Sequence, residues 1–246
     1  MAKGGAKSGG PGKDGIAGRS AARQTVIRVK TAKRRSAAST QWLARQLNDP
    51  YVGEARRQGY RSRAAFKLQQ LDDRFHLLRP GRRVVDLGCA PGGWTQVAVE
   101  RVKPTGGRDG TGQGVVIGID ILPMDAVPGA TVITLDFLAP DAPQRLKALL
   151  DGPADIVLSD MAAPTTGHAS TDHIRIIALA ETAYEFAREV LAPGGTFLCK
   201  VFQGGAEGEL LAALKRDFKT VRHAKPPASR AESAEVYVVA TGFRRT

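Results

Sequence analysis

Cysteine is scarce in this sequence, and its placement indicates neither a disulfide framework nor a metal site. The chain has 246 residues but only two cysteines. Cys89 and Cys199 both lie in apolar stretches and show none of the short spacings of metal ligands. We therefore expect two reduced core residues, as in cytosolic proteins, and no bound metal.

Long apolar runs are also missing. No stretch approaches the roughly 20 apolar residues that are needed to span a bilayer. No apolar signal-peptide segment follows Met1. The sequence therefore predicts a cytoplasmic protein without a membrane partner.

Acidic residues are few relative to basic ones. The chain has 24 Asp and Glu residues against 36 Lys and Arg residues, which gives a formal net charge of +12. The excess is concentrated in residues 1–38, where ten basic residues face a single acid, Asp14, so this segment carries +9. Because the segment is rich in glycine and poor in apolar residues, we expect a disordered basic arm over 1–38 and one folded domain over 39–246. Such an arm favours a nucleic acid as partner, although a solubilising tail would have the same composition.

A glycine-rich turn follows the first strand-like run of the chain. The segment RVVDLGCAPGGWTQVA (83–98) has an apolar run, then a turn, then apolar residues at helical spacing. This pattern predicts a strand, a tight turn and a helix, the first unit of a doubly wound α/β sheet. The spacing differs from G-x-G-x-x-G and so disfavours nicotinamide and flavin cofactors. It suits a smaller nucleoside-containing cofactor, although a purely structural turn has the same pattern. The residues expected at such a site are Asp86, Gly88, Gly92 and Gly93.

Three further strand-like runs end in aspartate. They cover 115–120, 132–136 and 155–160 and end in Asp120, Asp136 and Asp160. Because the C-terminal ends of parallel strands share one edge of a sheet, we expect these carboxylates and Asp86 to line one ligand crevice. The alternation of strands and helical segments predicts a mostly parallel sheet with helices on both faces. The glycine-rich segment 103–114 is predicted as a surface loop.

One lysine interrupts an apolar strand-like run. Lys200 lies within TFLCKVF (196–202), and lysine is almost never fully buried without a partner. We therefore expect Lys200 to open into the crevice or to pair with a carboxylate such as Asp160, although a purely structural ion pair or an edge strand would also accommodate it. Lys67 lies beside the apolar stripe of a helix predicted over 62–75, where most lysines simply extend to solvent.

Basic and aromatic residues are mixed in the segment 51–63. It contains four arginines and two tyrosines, namely Arg56, Arg57, Arg61, Arg63, Tyr51 and Tyr60. Guanidinium groups bind phosphates and aromatic rings stack on bases, so the composition suits RNA. A solvated helix face is an equally consistent interpretation.

Seven separated blocks of the sequence resemble the FtsJ-type ribose 2′-O-methyltransferases. In chain order they are RSRAAFKL (61–68), VVDLGCAPGGWTQ (84–96), DILPMD (120–125), SDMA (159–162), VLAPGG (190–195), KVFQG (200–204), and SR (229–230) followed by EVYVVATG (235–242). The resemblance extends over residues 41–242. It implies a Rossmann-like fold that uses S-adenosylmethionine, with a mostly parallel seven-stranded sheet, helices on both faces and an antiparallel last strand.

The resemblance also implies a site and a substrate. The catalytic set would consist of Lys67, Asp160, Lys200 and Glu235, and the cofactor contacts would include Gly92, Trp94, Asp120, Asp136 and Asp160. The implied substrate is the 2′-hydroxyl of a uridine in the A-loop of 23S ribosomal RNA, within the large ribosomal subunit. The implied enzyme acts as a monomer on cytoplasmic ribosomes.

The residue types are consistent with this chemistry. The sulfonium of the cofactor already activates its methyl group, so the protein has to orient a ribose hydroxyl and assist the loss of its proton. We expect Lys200 to be the base or the orienting group, with Asp160 and Glu235 beside it and Lys67 positioning the ribose. Whether Lys200 removes the proton or only steers the oxygen stays open. Asp120 would accept hydrogen bonds from the cofactor ribose, and Asp136 would face the adenine.

Two other functions are compatible with parts of the sequence. A non-catalytic ribosome-assembly factor would explain the basic arm but leave the two lysines and two acids of the catalytic set without a purpose. A nicotinamide-dependent oxidoreductase would need a G-x-G-x-x-G turn, which the sequence lacks.

Overall fold

The computed structural model describes residues 1, 27–28, 31, 36–103, 114–164, 166–203 and 208–244. Most of the predicted arm and nearly all of the predicted 103–114 loop lie outside the described residues. The chain divides into two units, 1–48 and 49–246. The first unit contains helix α1 (Ala37–Asn48). Within it, the Asn48 side chain pairs with the main chain of Ile27, accepting from its N–H at 2.7 Å and donating to its carbonyl at 3.0 Å.

The second unit is built on one seven-stranded sheet. Its strands are β1 (Arg83–Leu87), β2 (Val115–Asp120), β3 (Thr131–Thr134), β4 (Ala154–Ser159), β5 (Leu191–Phe202), β6 (Phe218–Ala224) and β7 (Glu235–Phe243). Its helices are α2 (Pro50–Gln58), α3 (Ala64–Phe75), α4 (Gly93–Val102), α5 (Ala142–Leu150), α6 (Ala169–Val190) and α7 (Gly208–Asp217). The strand order is β3-β2-β1-β4-β5-β7-β6.

The pairing of the strands confirms the predicted Rossmann-like fold. Strands β1 to β5 pair in parallel, whereas β7 is antiparallel to both β5 and β6. The last strand of the chain therefore enters between β5 and β6 in the opposite direction. The predicted antiparallel last strand is thus present. No helix in the described part of the chain is long and apolar enough to cross a membrane.

The centre of the sheet is buried on both faces. Successive side chains of β1 point to opposite sides, and its apolar residues Val84, Val85 and Leu87 are all fully buried. Val85 and Leu87 contribute to an apolar cluster with residues of α5, α6 and α7, while Val84 belongs to a second cluster with residues of α3 and α4. This two-sided burial explains why the sequences of the central strands are continuous apolar runs.

Both cysteines fit the prediction of reduced core residues. Cys89 and Cys199 are buried and carry free thiols. Cys89 lies so close to β2 that a Cβ on Gly118 would come within 2.9 Å of its sulfur. The small residue in β2 therefore makes room for the turn that follows β1.

Candidate active site

The glycine-rich turn is hydrogen-bonded to the end of β2. The N–H groups of Gly88 and Cys89 both donate to the carbonyl of Ile119, at 2.9 and 3.1 Å. The next N–H, that of Ala90, donates to the Asp120 carboxylate at 2.9 Å. Gly88 has φ +76°, and a Cβ there would lie 2.9 Å from the Met161 Cα. Glycine is therefore required at this position by both the backbone conformation and the space available.

The start of α4 lies at the end of this turn. Gly92 precedes the helix with φ +112°, and a Cβ on Gly93 would come within 2.4 Å of the Ser62 hydroxyl oxygen. Gly93 therefore permits close packing against the segment before α3. The first N–H groups of a helix have no acceptor within the helix, so this end of α4 is suited to bind acceptor atoms of a ligand.

The side chain of Trp94 is packed in the core of the protein. Its indole is only 3% exposed, and its Nε1 donates to the carbonyl of Ala64 at 2.9 Å. The ring packs against Tyr237 with 5.6 Å between ring centroids. Because the side chain is committed to the core, the cofactor contact predicted for Trp94 would have to come from its main-chain atoms.

The predicted aspartates lie at one edge of the sheet. Leu87 is in register with Ile119 of β2 and Ser159 of β4, so Asp120 and Asp160 follow aligned positions on either side of β1. Asp120 accepts from Ala90 N–H and Leu122 N–H, both at 2.9 Å. Asp136 lies two residues beyond β3, where its exposed carboxylate accepts from Leu138 N–H at 2.9 Å.

Asp86 is the most deeply buried carboxyl group at this edge. Its side chain is fully buried in β1, and one oxygen accepts a hydrogen bond from the Thr95 hydroxyl at 2.7 Å. The other oxygen, Oδ1, is buried and has no hydrogen-bond partner among the described residues. Burial, reinforced by the negative charges of Asp160 and Asp120, raises the pKa of Asp86 to about 7.

Lys200 and Asp160 form a buried ion pair, as the sequence predicted. The Lys200 side chain is 8% exposed, and its ammonium lies 3.1 Å from the Asp160 carboxylate. It also donates to the main-chain carbonyl of Asp160 at 2.6 Å. The pair forms because β4 and β5 are adjacent and Ser159 is in register with Cys199.

A second buried pair lies beside the first. The Lys67 ammonium of α3 is 2.7 and 2.8 Å from the two oxygens of Glu235, at the start of β7. The hydroxyl of Ser229 donates to the same carboxylate at 2.8 Å. The structure therefore brings together all four members of the predicted catalytic set, as two lysine–carboxylate pairs.

Tyr237 connects the two pairs. Its hydroxyl donates to Asp160 at 2.9 Å, and the Lys67 ammonium lies 5.8 Å from the centre of its ring. Tyr237 is in register with Lys200 across the β5–β7 pair. Burial and the nearby charges of Asp160 and Glu235 hold the pKa of Tyr237 well above its usual value, so the phenol stays protonated as a donor.

Electrostatics keeps Asp160 ionised. Burial alone would raise its pKa, but the ammonium groups of Lys200 and Lys67, together with the hydrogen bonds from Lys200 and Tyr237, outweigh that effect and lower the pKa below its ordinary value. Asp160 is therefore a permanent negative charge near neutral pH. It fixes the positions of both Lys200 and Tyr237.

Two of the arginines predicted to face RNA contact other segments of the protein, and a third, Arg57, forms an ion pair with Glu54 within α2. The Arg61 guanidinium donates to the carbonyls of Asp125 and Ala126, each at 2.6 Å, and so holds the segment after β2. Arg63 pairs with Asp49 at 3.0 Å. Arg56 and Arg57 are exposed on α2, so the RNA interpretation of this segment now rests on them.

Two residues beside the lysine–carboxylate pairs, Tyr237 and Ser229, were not predicted from the sequence. Tyr237 lies two residues after Glu235 in the same strand, so the period of a strand places both side chains on one face. This two-residue spacing could have indicated from the sequence that Tyr237 lies beside Glu235. Among the described residues no group of three His, Cys, Asp or Glu side chains is placed to hold a metal ion.

Comparison with known proteins identifies the family. The sequence profile of the FtsJ-like methyltransferases matches residues 60–243. The chain is 66% identical over 248 residues to the ribosomal RNA large subunit methyltransferase E of Paramagnetospirillum magneticum, covering 99% of this chain and 98% of that protein. It is 64% identical to the protein of the same name from Parvibaculum lavamentivorans, covering 95% of this chain and 92% of the other.

A solved structure agrees with both relatives. The crystal structure of a ribosomal RNA methyltransferase from Plasmodium falciparum is similar with a TM-score of 0.64 and 32% sequence identity. The similarity covers 75% of this chain and 98% of that one. On the profile match, the sequence identities and the shared fold, this chain belongs to the FtsJ-like methyltransferase family.

Proposed function

We propose that this protein uses S-adenosylmethionine to methylate the ribose 2′-hydroxyl of a uridine in the A-loop of 23S ribosomal RNA, within the large ribosomal subunit. Family membership supports methyl transfer, and the names of the curated relatives support ribosomal RNA as the substrate. The observation that carries the proposal is the pair of buried lysine–carboxylate contacts, Lys200–Asp160 and Lys67–Glu235, at the carboxyl edge of the sheet.

The residues at this edge fit S-adenosylmethionine. The cofactor carries a sulfonium and an α-ammonium, and the buried oxygen Oδ1 of Asp86 has no partner among the described residues. The Asp86 carboxyl group has a pKa of about 7, and a cation bound beside it would favour its ionised form, which can accept from an ammonium. Asp120 retains acceptor capacity for ribose hydroxyls, because each of its oxygens receives a single N–H. Exposed apolar side chains follow β2 and β3 at the same edge and offer contacts to an adenine ring, namely Ile121, Leu122 and Leu138.

The remaining predicted contacts are proposed as main-chain or peripheral ones. Gly88, Gly92 and Gly93 let the backbone of the turn approach the cofactor closely. Trp94 would contribute its N–H at the start of α4. Asp136 would face the adenine side, since it lies beyond β3 at the outer end of the same edge.

When bound, S-adenosylmethionine supplies an electrophilic methyl group. The protein residues hold and activate the hydroxyl that receives it. A lysine ammonium has three donors, and Lys200 directs donors at the Asp160 carboxylate and at its carbonyl. A further donor is then available for the 2′-oxygen, where positive charge stabilises the developing negative charge. Lys200 would thus steer the 2′-oxygen, the proton that the hydroxyl releases would pass to solvent water as the oxygen gains the methyl group, and Lys67 would position the ribose from the other side.

The proposal is tested by methyl transfer with a radiolabelled cofactor. Unmethylated large subunits and naked 23S RNA are compared as substrates, and the labelled nucleotide is located by resistance of its 3′ linkage to alkaline cleavage. We expect transfer to one uridine ribose, loss of transfer in Lys200→Met, and nearly unchanged cofactor affinity of that variant by calorimetry. Lys147→Met is the matched control, because Lys147 forms a surface ion pair with Glu189 and is 44% exposed. Label on a base, or normal turnover by Lys200→Met, would contradict the proposal.

A further inference from the structure

The segment 225–234 carries Ser229 to the second lysine–carboxylate pair. This segment joins β6 to β7. The Ser229 residue is 7% exposed, and its hydroxyl donates to Glu235 Oε1 at 2.8 Å. The same oxygen lies 2.7 Å from the Lys67 ammonium. Ser229 and Lys67 therefore hold one carboxylate oxygen between them.

Hydrogen bonds within the segment fix its shape. The Lys225 ammonium donates to the carbonyls of Ala231 and Ser233, at 3.0 and 2.6 Å. The Ser229 N–H donates to the carbonyl of Pro226 at 2.8 Å. These hydrogen bonds lie on both sides of Ser229 within the loop. They fix the backbone at Ser229 and therefore the position from which its hydroxyl extends.

Contacts with α3 and the residues before it fix the position of the segment. The Ala228 N–H donates to the side chain of Gln70, on α3, at 2.7 Å, and the Ala228 carbonyl accepts from the Arg63 guanidinium. Arg230 lies 3.6 Å from the Asp49 carboxylate, which Arg63 also contacts. The loop that presents Ser229 is thus attached to the same helix that carries Lys67.

We propose that Ser229 is a positioning residue that acts through Glu235 to hold the Lys67 ammonium in the orientation needed for methyl transfer. This inference rests on the proposed function, in which Lys67 positions the ribose. A glutamate side chain has several rotatable bonds, and Lys67 alone would let the pair rotate together. The hydroxyl of Ser229 removes that freedom before the substrate arrives, which is the support that a preorganised site requires.

The test compares Ser229→Ala with a control in the same loop. The control is Ser233→Ala, because the Ser233 hydroxyl accepts from the main-chain N–H of Glu235 at 3.2 Å and leaves the carboxylate untouched. Each variant is assayed for kcat, for KM of the RNA substrate, for cofactor affinity and for thermal unfolding. Both substitutions are then repeated in a Glu235→Ala background, where an effect that passes through the carboxylate disappears.

We expect kcat of Ser229→Ala to fall about tenfold, the size of one lost hydrogen bond to a charged group. KM and cofactor affinity should stay within about twofold of the wild type, as should all parameters of Ser233→Ala. Ser229→Ala should cause no further loss in the Glu235→Ala background. An unchanged kcat, a rise in KM alone, an additive loss in that background, or a loss explained entirely by unfolded protein would each overturn the inference. If the wild type itself transfers no methyl group to a ribose, the proposed function fails instead.

Discussion

Asp86 should make the stability of this protein fall as the pH rises from about 4 to about 7. Its carboxyl group is fully buried in the first strand, and among the residues that the structure describes its one hydrogen-bond partner is the Thr95 hydroxyl. Burial raises its pKa from an ordinary value of 3.8 to about 7. The unfolded chain therefore loses this proton near pH 4, while the folded protein keeps it until about pH 7.

The sign and the size of the effect follow from this difference. Between the two pKa values the folded protein binds more protons than the unfolded chain, so the free energy of unfolding falls with rising pH. A difference of about three pH units corresponds to roughly 4 kcal/mol. About 2.5 kcal/mol of this loss falls between pH 5 and pH 8. Asp160 and Asp217 have lowered pKa values and so titrate below this window.

The assay is urea unfolding followed by circular dichroism at pH 5, 6, 7 and 8, for the wild type and Asp86→Asn. The asparagine keeps an acceptor for Thr95 but cannot ionise. Its stability relative to the wild type should therefore improve by about 2.5 kcal/mol from pH 5 to pH 8. Asp141→Asn is the control, because Asp141 is 59% exposed and should follow the wild type at every pH. Parallel pH profiles for the wild type and Asp86→Asn would refute the reasoning.

Two further predictions concern the core of the site. Tyr237→Phe removes the hydroxyl that donates to Asp160 but keeps the ring. The kcat for methyl transfer should therefore fall about tenfold, while the melting temperature changes little. An unchanged kcat would exclude the phenol from the reaction. Gly93→Ala places a Cβ within 2.4 Å of the Ser62 hydroxyl oxygen, so the free energy of unfolding should fall by about 1–3 kcal/mol in urea titrations. Wild-type stability of Gly93→Ala would show that Ser62 moves aside freely.

The sequence was most informative where apolar runs end in aspartate. The runs predicted for β1, β2 and β4 agree closely with the strands, because a central parallel strand needs apolar side chains on both faces. The third run was placed at 132–136, whereas β3 covers Thr131–Thr134 and Asp136 lies beyond it. Edge strands bury less surface, so their ends leave a weaker signal in the sequence.

Proline and glycine residues near the start of β5 led to a wrong prediction of where this strand begins. The prediction began this strand at residue 196, because Pro193, Gly194 and Gly195 usually mark a helix end and a turn. In the structure the strand begins at Leu191, which pairs with Ala154 across a shift in register. An irregularity of this kind depends on the neighbouring strand, which local sequence does not specify.

The site could be predicted only in part, again because local sequence does not specify contacts between distant segments. Lys200 stood out because a charged residue in an apolar strand needs a partner. Lys67 and Glu235 meet across 168 positions of the chain, so the resemblance alone suggested their association. Tyr237 and Ser229 escaped notice because a tyrosine in an alternating strand is usually core and a serine in a polar loop is usually solvated. Both lie near the pair that forms where Lys67 of α3 meets Glu235 at the start of β7.

The charged side chains divide the edge of the sheet into two parts. Asp86 and Asp120, on β1 and β2, receive hydrogen bonds from a hydroxyl and from main-chain N–H groups, and no described lysine or arginine forms an ion pair with either. Asp160 and Glu235, beside β5 and on β7, are each matched by a lysine.

The strand order is β2-β1-β4-β5-β7, so the unmatched carboxylates occupy one side of the edge and the neutral pairs the other. In the proposed reaction, a cationic methyl donor is stabilised on the first side, and an uncharged hydroxyl is accepted on the second without a net field opposing it. The two sides adjoin at Asp160, immediately after β4, because adjacent strands are only about 4.8 Å apart. In the proposed reaction, the order of the strands, more than any single residue, would bring the methyl group and the hydroxyl together.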